Sequence, residues 1–123
     1  MKKAITAEEI VEFEIKKIIY LMKRNKGVHK EPLAALKRSF ERKYGKNINP
    51  QIAHWLCAAV FYTLTQGSYE KRILEHDSDN GTYHLNDVDG LDIGELVETI
   101  ADNNRALMEP LIVDMNSGEA YLN

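Results

Sequence analysis

The sequence predicts one α+β domain over residues 1–123: a helical N-terminal half, a hairpin, a fourth helix and a short C-terminal hairpin. Apolar residues recur at helical spacing in three segments before residue 67. An Asn80-Gly81 pair, typical of a tight hairpin turn, separates two short strand-like runs. With 123 residues, of which 44% are apolar, the chain is long enough to bury one core without disulfides.

The first helix is predicted over residues 7–25. Thr6 and Glu9 fit a capping box, in which a hydroxyl and a carboxylate satisfy free backbone N–H groups at a helix start. The apolar stripe of this segment is wide, so we expect it to be contacted on more than one side. Gly27 is its predicted stop.

Two further helices are predicted before the hairpin. The second runs from Pro32 to Gly45, since proline suits the first helical turn and glycine a helix end. It is apolar on one side and basic on the other. The third runs over residues 50–66 after an Asn-Pro start signal, and it is apolar over most of its circumference, Trp55 included. We therefore expect it to be the central core helix.

Residues 69–76 and 82–86 are expected to pair as a β-hairpin. With a two-residue turn at Asn80-Gly81, Asp77 faces His84. A four-residue turn shifts the pairs by two and leaves the faces unchanged.

The C-terminal third is predicted to hold a helix and a closing hairpin. Asp92 resembles an N-cap, and helical apolar spacing continues from there to Pro110, where we expect the helix to end. Residues 111–115 and 119–122 flank an Asn-Ser-Gly turn signal, which indicates a short hairpin or edge strands.

Three helices followed by a hairpin is the order of a winged helix. Over roughly residues 13–85 the spacing also resembles the LOTUS (OST-HTH) variety of that fold. The residues that carry the resemblance are Gly27-Val28, Leu33, Phe40, Tyr44-Gly45, Ile48 and Tyr83-His84-Leu85. Such domains commonly bind nucleic acid or act as protein adaptors, which is what the resemblance implies here. Residues 7–86 would be the winged-helix-like core, and residues 87–123 an acidic extension.

Charge divides the chain after Arg72. The first 72 residues carry 15 Lys/Arg against 7 Glu, and the remaining 51 carry one Arg against 12 Asp/Glu, within a net charge of −3. Such asymmetry bears on binding partners rather than on fold. It suggests a basic surface and an acidic surface.

The basic surface is the leading candidate site, because a dense run of Lys/Arg neutralises phosphates and releases counterions. The predicted nucleic-acid-binding residues are Lys30, Lys37, Arg38, Arg42, Lys43, Lys46, Lys71 and Arg72. Lys23, Arg24 and Lys26 could join them. The third helix offers few long polar side chains, only Gln51, His54, Thr63 and Gln66, so backbone contacts to DNA or RNA are expected rather than base reading. The alternative is that these cations form only a solvated helix face without a binding role.

The acidic surface supports the alternative function, an inhibitor, immunity or anti-defence protein, or an adaptor, that binds a basic protein partner. Its predicted partner-binding residues are Asp92, Glu95, Glu98 and Asp102. Opposite charges on one chain could also serve self-association as a homo-oligomer.

No catalytic residue, cofactor or metal is predicted. One face of the hairpin carries Glu75, Asp77, Asp79, Thr82 and His84. A calcium loop that begins at Asp77 would need an acid at its twelfth position, which is Val88. We therefore interpret the carboxylates of this face as solvated turn acids, with an Asp77–His84 pair.

The lone Cys57 is expected to be an inert core thiol. With no disulfide, signal-peptide or membrane-spanning pattern, a small soluble, cytoplasmic, non-enzymatic protein is expected.

Overall fold

A computed structural model of the chain describes residues 3–66 and 72–122. Within them lie four helices and three strands. In chain order they are α1 (Ala7–Arg24), β1 (Val28–His29), α2 (Pro32–Tyr44), α3 (Pro50–Gln66), β2 (Leu74–Asp77), β3 (Thr82–Leu85) and α4 (Ile93–Ser117). The predicted α+β class, with a helical N-terminal half followed by a hairpin, is confirmed.

The helices begin where their capping signals predict. The Thr6 hydroxyl accepts a hydrogen bond from the backbone N–H of Glu9 at 3.2 Å at the start of α1. The Asp92 carboxylate accepts one from the N–H of Glu95 at 3.1 Å at the start of α4. Each bond satisfies one of the N–H groups that a first helical turn leaves free.

The sheet is antiparallel, with strand order β1-β3-β2. Asp77 lies opposite Thr82 and Glu75 opposite His84, which is the register of the four-residue turn. β1 is an unpredicted two-residue strand that pairs Val28 with His84. Two residues are too few to show an alternating pattern. The predicted first hairpin strand begins only at Leu74, and its residues 69–71 lie outside the described ones.

The core forms mainly between α1 and its neighbours. α1 packs against α2, α3 and α4, and it also contacts β1 and β3. Ile15 and Ile18 of α1 and Leu56 of α3 are fully buried. The wide apolar stripe of α1 is explained by these several neighbours, as the sequence predicts.

The predicted closing hairpin over residues 111–122 is wrong. α4 continues through Pro110 to Ser117 and ends at Gly118, which has φ +89°. Proline removes one helical hydrogen bond to the carbonyl of Ala106, but both residues are exposed, so water can replace that bond. The apolar spacing from Met108 to Ile112 continues across the proline and stays buried.

The end of the chain pairs with the loop after α2 instead. Tyr121 forms an isolated antiparallel bridge with Ile48, and its hydroxyl donates to the carbonyl of Tyr44 at 2.7 Å. Gly45, with φ +128°, lies under the ring, where a Cβ would be 2.9 Å from a ring carbon of Tyr121. A glycine is therefore required at this close approach.

Within residues 3–66 and 72–122, no helix is both long and apolar enough to cross a membrane.

Candidate functional site

A groove of about 510 Å³ lies between α1 and α2 and collects cations from both helices. Its lining residues are Phe13, Lys17, Tyr20, Leu21, Arg24, Ser39, Arg42 and Lys43. Four of the eight are Lys or Arg, and no carboxylate from the described part of the chain lines the groove. We call it the basic groove.

One wall of the basic groove alternates rings and cations. Phe13, Lys17, Tyr20 and Arg24 follow one another at spacings of three and four residues, so they lie along one face of α1. The Lys17 ammonium lies 5.3 Å from the centre of the Tyr20 ring and 5.9 Å from that of Phe13. These distances are in the cation–π range, which holds the cation beside the rings at the groove surface.

The second helix completes the arrangement. The Lys43 ammonium lies 5.2 Å from the centre of the Phe13 ring and 5.6 Å from that of Tyr44. The rings of Phe13 and Tyr44 meet edge to face at 5.9 Å between centroids. The basic groove is thus held by aromatic contacts between α1 and α2, which leave its ammonium groups at the surface.

The cations of the basic groove form no ion pair with any residue that the structure describes. Among the described residues, the Lys and Arg side chains that form ion pairs are Lys16 and Arg105, and neither lines this groove. Charge left without a counterion in the fold is available to an external anion.

The structure divides the predicted nucleic-acid-binding residues. Arg42 and Lys43 line the basic groove. Arg38 is exposed on α2, and its backbone carbonyl accepts a hydrogen bond from the Arg42 guanidinium at 3.4 Å. Lys30 precedes α2 in the chain and Lys46 follows it, and both are exposed outside the basic groove.

Lys37 lies on the other flank of α2. It lines a shallow depression of about 250 Å³ with His54, Tyr62 and Tyr83. It is therefore separated from the basic groove by the body of α2.

The base of the hairpin is described only in part. Lys71 lies outside the described residues. Arg72 is exposed, and its carbonyl accepts a hydrogen bond from the Asn86 amide at 2.7 Å.

Trp55 of α3 was predicted to lie in the core, but it lies on the exposed face of the helix. Its side chain is 53% exposed rather than part of the core, and Tyr62, seven residues on, is 48% exposed. Thr63 turns toward α4, where its hydroxyl accepts from the Asn104 amide at 3.2 Å. α3 therefore presents two rings between the exposed Gln51 and Gln66.

The hairpin acids behave as turn-forming groups. The Asp77 carboxylate accepts from the Asn80 side chain at 2.7 Å and from the backbone N–H of Asp79 at 3.0 Å, which lowers the pKa of Asp77. His84 lies 3.7 Å from that carboxylate, so the predicted Asp77–His84 pair is confirmed. No metal-ligand group of three His, Cys, Asp or Glu occurs in the described ranges.

A second groove, of about 410 Å³, lies between α1 and α4. Its charged lining residues are Glu8, Glu12, Lys16 and Glu98. We call it the acidic groove.

Several of the acids in and around the acidic groove already have partners. Glu12 pairs with Lys16 at 2.7 Å. The Arg105 guanidinium binds Glu8 of α1, and on its own helix it binds Asp102 at 2.9 Å and Glu109 at 3.2 Å. These hydrogen bonds lower the pKa of Glu8 and raise that of Arg105.

The predicted partner-binding acids are therefore unequal. All four are exposed, but Asp92 caps α4 and Asp102 pairs with Arg105, whereas Glu95 and Glu98 form no ion pair with a described residue.

One carboxyl of α1 is fully buried in the core beside Cys57 of α3. Glu14 of α1 has 0% exposure, and neither of its oxygens has a hydrogen-bond partner of good geometry in the described residues. Burial raises the pKa of Glu14 well above its usual value, and the nearby Cys57 thiol offsets only part of this shift. Burial and, after it, Glu14 raise the pKa of Cys57, which lies in the core as predicted.

Lys17 and Tyr20 were not predicted as site residues. A signal was present, because an aromatic residue, a cation, an aromatic residue and a cation recur at positions 13, 17, 20 and 24 of one helix face. In the sequence, the apolar residues of this α1 face indicate only a wide apolar stripe, which does not by itself predict a binding site.

No protein-family model, curated protein or solved structure matches the chain.

Proposed function

We propose that this protein is a small non-enzymatic domain that binds nucleic acid through backbone contacts in the basic groove. One observation carries the proposal: four cations from two helices line a single concave surface that no described carboxylate enters. A concave surface of one charge sign concentrates the field and attracts polyanions. Release of phosphate counterions would supply affinity without sequence preference.

The element order supports a winged-helix-like core over residues 7–86 as part of the same proposal. A helix, a short strand, two helices and a hairpin follow in sequence, and β1 pairs with the returning strand β3. A regulatory or mobile-element context and a cytoplasmic location belong to the proposal as well. α3 has no Lys, Arg, Asp or Glu, so it would add little to phosphate binding or to base reading.

Two neighbouring lysines of α1 provide a matched test. Lys17 lines the basic groove and Lys16 the acidic groove, so the same charge reversal on the same helix reaches opposite surfaces. Binding of a labelled oligonucleotide is measured by fluorescence anisotropy over a range of salt concentrations. Circular dichroism confirms that each variant is folded.

We expect Lys17→Glu to weaken binding by roughly tenfold and to reduce the slope of log affinity against log salt by about one. Arg42→Glu should act in the same way. Lys16→Glu should leave the slope unchanged. Equal effects of Lys16→Glu and Lys17→Glu, or no binding by the wild type, would refute the proposal.

The alternative proposal is an inhibitor or adaptor that presents its acidic surface to a basic protein. The exposed carboxylates of Glu95 and Glu98 favour it, since neither is engaged in an ion pair with a described residue. Under this alternative, Glu95→Lys combined with Glu98→Lys disrupts a complex captured from host cells after nuclease treatment, and Lys17→Glu does not.

A further inference from the structure

We propose that the basic groove prefers single-stranded nucleic acid to duplex, with unpaired bases stacking on Tyr20. This inference rests on the proposed function and adds the class of nucleic acid. It is carried by the alternation of rings and cations along one face of α1, which a site for phosphates alone does not need.

Tyr20 is the accessible ring of the basic groove. Its side chain is 54% exposed, although a large aromatic side chain usually buries most of its surface. Phe13, on the same face, is partly buried against Tyr44, so it supports the groove from beneath. Tyr20 therefore offers a ring face to an external planar group.

Cations lie on both sides of this ring along α1. Lys17 precedes it by one helical turn, with its ammonium 5.3 Å from the ring centre, and Arg24 follows one turn later. From Lys17 to Arg24 the helix rises about 10.5 Å. A short nucleic-acid segment can thus place phosphates against both cations while a base between them lies on the ring.

A duplex cannot use the same arrangement fully. Its phosphates can reach Lys17, Arg24 and Arg42 at the rim of the groove, but its base faces are stacked on one another and closed to Tyr20. A single strand offers phosphates and open base faces together, which is how non-specific single-strand sites combine charge with stacking. Stacking on Tyr20 would therefore add to single-strand affinity alone.

The test compares three probes on the full chain: a single-stranded oligonucleotide of about ten nucleotides, the matching duplex, and inorganic polyphosphate, which has charge without bases. Tyr20→Ala removes the ring, and Tyr20→Phe keeps it without the hydroxyl. Leu107→Ala, which shortens another exposed apolar side chain far along α4, is the control.

We expect the single strand to bind most tightly, and Tyr20→Ala to weaken only that binding, by roughly tenfold. Tyr20→Phe and Leu107→Ala should keep wild-type affinity. Equal binding of all three probes, or no effect of Tyr20→Ala, would overturn this inference while nucleic-acid binding by the basic groove stands. If no probe binds, both proposals fail.

Discussion

α1 forms one wall of two grooves of opposite charge. The basic groove with α2 holds four cations and no described carboxylate, whereas the acidic groove with α4 holds three glutamates and Lys16. In the acidic groove, Lys16 pairs with Glu12, and Arg105 reaches across from α4 to Glu8. No comparable ion pair occurs in the basic groove within the described residues.

The difference indicates that charge serves two purposes here. Beside the acidic groove, the Arg105–Glu8 pair joins α4 to α1, whereas the cations of the basic groove form no ion pair with a described residue and, in the proposed function, bind an external polyanion. The boundary between positive and negative surfaces therefore runs along α1 itself, between Glu8 and Glu12 on one side and Lys17 and Arg24 on the other. It does not follow the division of the sequence at Arg72.

Both grooves depend on the packing of α1, and a cavity beneath it should have the largest effect on stability. Ile18→Ala removes a fully buried side chain and should lower the free energy of unfolding by about 2–5 kcal/mol, measured by urea denaturation. Lys16→Ala, on the exposed surface of the same helix, is the control and should change it by less than about 0.5 kcal/mol. A similarly small effect of Ile18→Ala would show that α1 is not the shared support.

The buried carboxyl of α1 should make stability depend on pH. Since the pKa of Glu14 is raised above its usual value of 4.5, the folded chain keeps this proton at pH values where the unfolded chain releases it. Glu14 therefore lowers stability progressively as pH rises from about 4.5 toward its folded pKa. Glu14→Gln should remove this loss.

Urea denaturation over a series of pH values measures the effect. Glu14→Gln should gain stability relative to the wild type as pH rises through this range. Parallel profiles for Glu14→Gln and the wild type would contradict a buried, protonated Glu14.

The ion pairs of Arg105, one of which joins α4 to α1, should make the smallest contribution to stability. Arg105→Gln removes the guanidinium from Glu8, Asp102 and Glu109. We expect a modest fall in the thermal midpoint at low salt that shrinks at high salt, because exposed pairs are screened. The control is Arg38→Gln, on the exposed side of α2. A loss with Arg105→Gln that does not depend on salt would show that these pairs act by packing instead.

The sequence predicted the helices well because their starts depend on local chemistry. Thr6 and Asp92 bind the N–H groups of their own first turns, and such contacts can be inferred from neighbouring residues alone. The continuation of α4 was missed because Pro110 was interpreted as a stop. Its missing hydrogen bond faces water, which depends on the orientation of the helix in the fold.

The basic groove was predicted from the sequence on α2, and on α1 only at Arg24, which was offered as a possible addition. Arg42 and Lys43 were found from the density of cations, but Lys17 and Tyr20 come from a helix whose pairing with α2 is a tertiary contact. Trp55 was assigned to the core because it is apolar, although its position on α3 faces outward. Which side of an apolar helix stays exposed depends on its neighbours.

We propose that nucleic acid contacts the basic groove and not the acidic groove. Titration of the isotopically labelled chain with a short single-stranded oligonucleotide, followed by backbone amide NMR shifts, distinguishes the two grooves residue by residue. We predict that the largest shifts occur at residues 13–24 of α1 and 39–43 of α2, while residues 93–98 of α4 stay unchanged. Shifts centred on α4 or on the exposed rings of α3, with none around Lys17 and Arg42, would contradict the claim.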